Sequence, residues 1–194
     1  MLLLAIATAA VLAAALIQGS RLPWRGTIAL AMSIALLAQG TVVAIVGFSG
    51  IVLRSLEPTV LLALAIGLLA VTVVAVRIDR RPVDWRYRWR SALGTTRDAL
   101  RDPAVALGTL VVVVTLGWRT ILAVRLPVVD YDGYSYHLVF VDVWLQHNAI
   151  TQVPQRPWTA GYPANTELLT TWLAAFTRSD TLAGLTSVDR KSVV

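Results

Sequence analysis

Between Asp130 and His137 the chain gathers two aspartates, three tyrosines and a histidine within eight residues, directly after a stretch, 108–127, that holds no carboxylate. Carboxylates such as Asp130 and Asp132 suit two kinds of work: taking a proton from a hydroxyl, or holding a divalent cation. Cysteine is absent, which excludes thiol catalysis, disulfides and cysteine metal sites. Asp132 also has a plainer reading as the cap of a helix that starts after the Asp-Tyr-Asp-Gly turn. His137 falls about 140° around that helix from Asp132, which points it to packing or hydrogen bonding rather than to sharing a proton with the aspartate. Asp142 reads as the wet face of the same helix, and His147 as a cation favoured at its C-terminal end.

These groups must be positioned by a membrane protein. The 194 residues are 57% hydrophobic, with a mean hydropathy of +0.69 and only 14% charged residues; soluble domains carry about 25%. Spanning a bilayer takes about 20 helical residues, and four segments qualify: 1–18, 27–49, 57–76 and 104–124. The first has no positive charge before its apolar run and no good cleavage site, so it reads as a retained span. Gly40, Gly47 and Gly67 inside the second and third spans mark close helix packing.

Eight of the 17 basic residues fall in 77–103, against four aspartates, which predicts a cytoplasmic loop there. Counting outward, the connection bearing Arg54 and everything after residue 125 lie outside. The formal charge of +6 therefore reads as a topology signal and not as a nucleic-acid surface. Arginine interleaved with Trp85, Tyr87 and Trp89 suits a segment lying on anionic headgroups. Arg119 reads as snorkelling to the outer interface.

Past the fourth span, Pro127 ends the helix. Tyr134, Leu138, Val141 and Leu145 then recur at helical spacing, predicting a short amphipathic helix along the membrane surface with its aromatic residues at headgroup level. A proline-rich stretch and a second amphipathic helix from about Asn165 follow. The expected fold is all-α: polytopic membrane helices plus an extracytoplasmic loop with amphipathic interfacial helices. Its parts are three N-terminal spans (1–76), a basic cytoplasmic loop (77–103), a core opening with the fourth span and outer loop (104–185), and a tail (186–194). Lys191 is the sole lysine, and the final "SVDRKSVV" breaks the apolar pattern of "DTLAGL", so the tail reads as foreign to a longer protein.

The run "DGYSYHLVFVDVWLQHNAI", with the later "GYPANTELLTTW", resembles the first outer loop of bacterial C-type membrane glycosyltransferases. These polytopic enzymes take a sugar from a polyprenyl-phosphate carrier, as protein O-mannosyltransferases and lipid A aminoarabinose transferases do. The resemblance covers roughly residues 104–185. It sets Asp132 in the place of an aspartate that stands after the first span and ahead of a Tyr-His-Leu triplet, here Tyr136, His137 and Leu138. Tyr162, Pro163, Asn165 and Glu167 match the later tyrosine-proline, asparagine and glutamate. Two departures stand out: Val139 replaces a frequent proline, and three spans precede the one that usually comes first.

What the resemblance implies is an inverting transfer to a glycan, lipid or protein acceptor, on the outer side of the plasma membrane, with the bilayer as a further partner. An inverting transfer needs a base for the acceptor hydroxyl while the carrier phosphate leaves. Asp132 is the first candidate for that base and Asp130 its rival. Tyr136, His137, Tyr162, Asn165, Glu167, Arg125 and Arg156 are candidates for binding substrate, with Arg125, Arg156 and His137 able to face the phosphate. Glu167 has a plainer reading as a capping or solvated residue of the second helix. Magnesium or manganese is the one cofactor the resemblance allows, with Asp132 and Glu167 as candidate ligands. The rival classes are a transporter or flippase subunit and an envelope assembly factor. A transporter places charge at mid-span, and these spans hold almost none away from their ends.

Overall fold

The structure, a computed structural model, describes residues 27–78, 85–126, 133–153, 164–180 and 182–186. The expected first span, the tail beyond 186, and Asp130, Asp132, Arg156 and Tyr162 lie outside them. The described residues are helical, with no strand among them, and three helices are long and apolar enough to cross a membrane.

Helix α1 (Thr27–Phe48) has no charged residue and continues into a π-helical turn, Ser49–Leu53. The turn stops at Arg54, which adopts a left-handed conformation (φ 51°) and returns its amide to the Ser49 carbonyl. Helix α2 (Pro58–Ile78) begins on a proline, whose missing N–H is no loss in a first helical turn. The Glu57 carbonyl accepts the amides of Val60 and Leu61, both at 3.0 Å.

The basic segment then forms α3 (Trp85–Ala99), which packs beside α1. Asp102 caps α4 (Pro103–Arg125) by accepting from the Ala104 amide at 2.8 Å, with Pro103 in its first turn. No residue of α4 is buried; its closest partner is the short Ala183–Leu185 turn. Such a helix is mostly apolar and leaves most of its surface uncovered by the described residues, as expected of one facing lipid.

The segment after α4 comprises a π-helical turn, Gly133–His137, then α5 (Leu138–Gln146) and α6 (Asn165–Thr177). It packs on the hairpin of α1 and α2 through a shared core. Val42, Ile45 and Val46 from α1 and Leu61 and Ala65 from α2 meet Phe140, Trp144, Val153, Trp172 and Ala175. Burying each large apolar side chain stabilises the assembly by about 1.5–3 kcal/mol, enough for so short a pair of helices to hold together.

Two expectations need correction. Phe140 and Trp144 do not lie on an exposed face: they stack 5.6 Å apart and are buried in the protein core. The Trp144 indole N–H also donates to the Thr151 carbonyl at 2.8 Å, where the returning chain covers it. Nor does any described residue pack closely on Gly40, Gly47 or Gly67, since among the described residues a Cβ added at each would meet nothing within 4 Å. The close approach falls at Gly50, where an added Cβ would lie 2.5 Å from Ile150 Cγ1.

Candidate functional site

Two helix starts build the site. His137 closes the π-helical turn that leads into α5, and Glu167 is the third residue of α6. Packing of α5 on α6 brings these residues, thirty apart in sequence, into contact: His137 Nδ1 hydrogen-bonds Glu167 Oε1. Glu167 stands in the first turn of α6, at the end of the helix where backbone amides lack intrahelical partners.

Burial within the pair is unequal. The Glu167 side chain keeps 5% of its exposure and the His137 side chain 18%, so the carboxylate lies inside and the imidazole reaches toward the surface. The tautomer of the ring sets which of the two atoms donates. Glu167 Oε2 is buried with no hydrogen-bond partner among the described residues. Leaving such an atom unsatisfied costs about 1–3 kcal/mol, and more when it is charged.

The neighbours fix the pair from behind. Thr171, wholly buried, donates its hydroxyl to the Glu167 carbonyl at 2.7 Å, and Thr170 donates to Thr166 at 2.9 Å. Tyr136 lies against His137, ring centroids 4.0 Å apart, and packs on the core. The remaining described candidates stand apart: Asn165 is exposed at the start of α6, and Arg125 is exposed in the last turn of α4. Glu167 is neither a solvated residue nor a cap, because it is buried and α6 has no side-chain cap bond.

The described residues do not make a metal site. No group of three or more histidine, aspartate or glutamate side chains converges among them, and Asp132, the other candidate ligand, lies outside them.

A second feature was not visible in the sequence. A cavity of about 570 Å3 opens between the start of α2, α5 and the end of α6, lined by Glu57, Asp142, Asn148, Thr170, Arg178 and Asp180 among others. Partial burial, and then the charge of Asp180, push the Asp142 carboxyl above its ordinary value. Asp142 and Asp180 lie far apart in the chain, so no local pattern announces their meeting.

No family model, curated protein or solved structure matches this chain.

Proposed function

We propose that this chain is a membrane glycosyltransferase that moves a sugar from a polyprenyl-phosphate carrier to a glycan, lipid or protein acceptor at the outer face of a bacterial plasma membrane. The observation that carries the reading is the contact between His137 and Glu167. One belongs to the Tyr-His-Leu half of the resemblance, the other to the Tyr-Pro…Asn…Glu half, and a shared site is the simplest reason for both halves to occur. The carrier confines its phosphate to the membrane interface, and the His137–Glu167 pair belongs to a layer packed on the same end of the α1–α2 hairpin as the 54–57 connection. Asp132, five residues before His137, is the catalytic carboxylate of this reading, with Asp130 as its rival.

Charge placement speaks against a transporter. Helix α1 has no ionised side chain, α2 has only Arg77 in its last turn, and α4 has Arg119 and Arg125 toward its end. Membranes bearing the full chain, supplied with radiolabelled polyprenyl-phosphate hexoses and pentoses, test the proposal. Label should pass from the carrier to a cell-envelope fraction, and no transfer from any donor of the series would contradict it.

A further inference from the structure

Helix α3 joins two membrane-length helices and leaves one mixed face uncovered by the described residues. Arg90, Leu93, Arg97 and Leu100 stand three, four and three residues apart, which sets them within an arc of about 80° on a helix that turns ~100° per residue. Leu100, one residue past α3, keeps that register because its amide bonds the Thr96 carbonyl at 2.9 Å. All four are exposed, Leu93 at 58% and Leu100 at 41%. Ser91, Thr95 and Asp98 stand on the opposite side. Although α3 packs beside α1, Thr96 alone is partly covered among the described side chains from 90 to 100. Asp98 pairs with Arg101 at 3.1 Å and Asp102 caps α4, so neither carboxylate is spent on Arg90 or Arg97.

We propose that this face is a docking surface for anionic phospholipid headgroups, in the leaflet that α2 leaves and α4 enters. Its tether places it there. Three residues separate Ala99 from Pro103, the first residue of α4, so the end of α3 stands at most about 14 Å from that helix. Backbone bonds shorten the link: the Arg101 and Asp102 amides donate to the Asp98 and Ala99 carbonyls, both at 3.2 Å. The 23 residues of α4 make a helix about 34 Å long, enough to fill a hydrocarbon core of ~30 Å and put its first turn at headgroup level.

The chemistry of the face fits the same partner. A bilayer surface takes both kinds of side chain at once, the leucines entering below the headgroups and the arginines reaching the phosphates. The stretch 77–103 holds eight arginines against four aspartates, the sign that anionic lipid attracts. This surface is separate from the His137–Glu167 site and holds whatever that site does. It also fixes a footprint and a register that the arginine–aromatic run alone leaves open.

Single spin labels on the full chain in lipid nanodiscs test the proposal, since no native cysteine competes. A nitroxide at Leu93→Cys, itself apolar, should be reached by oxygen and shielded from a nickel chelate in discs of phosphatidylglycerol. One at Thr95→Cys should show the reverse. In phosphatidylcholine discs the label at position 93 should become open to nickel. Arg90→Gln with Arg97→Gln should open it in phosphatidylglycerol too, each lost charge lowering the ratio of seated to lifted helix about fivefold. Arg90→Lys with Arg97→Lys keeps the charge and should keep the shielding. Equal nickel access at 93 and 95 in phosphatidylglycerol, identical shielding in both lipids, or loss of shielding in the lysine pair overturns the proposal. Shielding that appears only on adding an RNA homopolymer would assign the face to a soluble polyanion and overturn it as well.

Discussion

The amide of Ile150 donates to the carbonyl of Gly50 at 3.0 Å, joining two segments a hundred residues apart. A second bond lies beside it, from the Leu56 amide to Asn148 Oδ1 at 2.6 Å. Asn148 reaches that position from a left-handed conformation (φ 52°), which asparagine tolerates better than most residues. Together these bonds tie the connection between α1 and α2 to the end of α5. Both segments therefore stand on one side of any membrane the helices cross.

Gly50 is where this tie is most sensitive. A Cβ there would lie 2.5 Å and 2.7 Å from Ile150 Cγ1 and Cδ1. Overpacking costs about 1–3 kcal/mol, more than the ~1 kcal/mol an alanine gains over glycine in a helix. Gly50→Ala should lower the thermal midpoint of the detergent-solubilised protein. In an Ile150→Ala background the same change should cost less, because the colliding atoms are gone. Equal losses in both backgrounds would place the strain elsewhere.

Sidedness is the next expectation. The chain lacks cysteine, so single introduced cysteines report cleanly, and Thr95 and Gln152 are both exposed. Gln152→Cys should react with a membrane-impermeant maleimide in intact cells, and Thr95→Cys only after permeabilisation. The reverse pattern would invert the topology drawn from the arginines of 77–103.

The long helices were legible because apolar length alone specifies them: spans expected at 27–49, 57–76 and 104–124 are helices over Thr27–Phe48, Pro58–Ile78 and Pro103–Arg125. The second amphipathic helix begins at Asn165, as its pattern suggests. The face of α5 was read less well. Counting at helical spacing from Tyr134 ignores the π-helical turn Gly133–His137, whose wider winding resets the phase before α5 begins. Leu138 and Val141 are buried as counted, but Phe140 and Trp144 join them, and Leu145 is only partly covered. His137 could be flagged by type, yet its partner could not, since no local spacing links it to Glu167. The opening carboxylates, Asp130 and Asp132, lie outside the described residues.

Asp142 gives a pH-dependent expectation. Partial burial and the Asp180 charge raise its carboxyl above the ordinary 3.8. An acid with a raised folded-state value binds more protons folded than unfolded, so stability falls as pH rises from 3.8 through that raised value. Above that interval the charged side chain is unfavourable. Asp142→Asn should therefore raise the thermal midpoint near neutral pH, and the gain should shrink in acid below the ordinary carboxylate range. A lower midpoint near neutrality would mean that the charge makes a favourable contact.

Sugar transfer from a lipid phosphate through the Asp132 carboxylate, as proposed, is open to direct test. The most direct measurement is transfer of label from a polyprenyl-phosphate sugar by Asp132→Asn beside the parent protein, at matched expression and membrane insertion. Asparagine caps helices about as well as aspartate, so the substitution removes charge and spares local structure. Asp132→Asn should lose at least ~10²-fold in transfer, the low end for a missing catalytic acid or base, with a smaller loss for Asp130→Asn. Near-normal turnover in both variants would contradict it and reduce the acidic turn to a helix cap at a membrane surface.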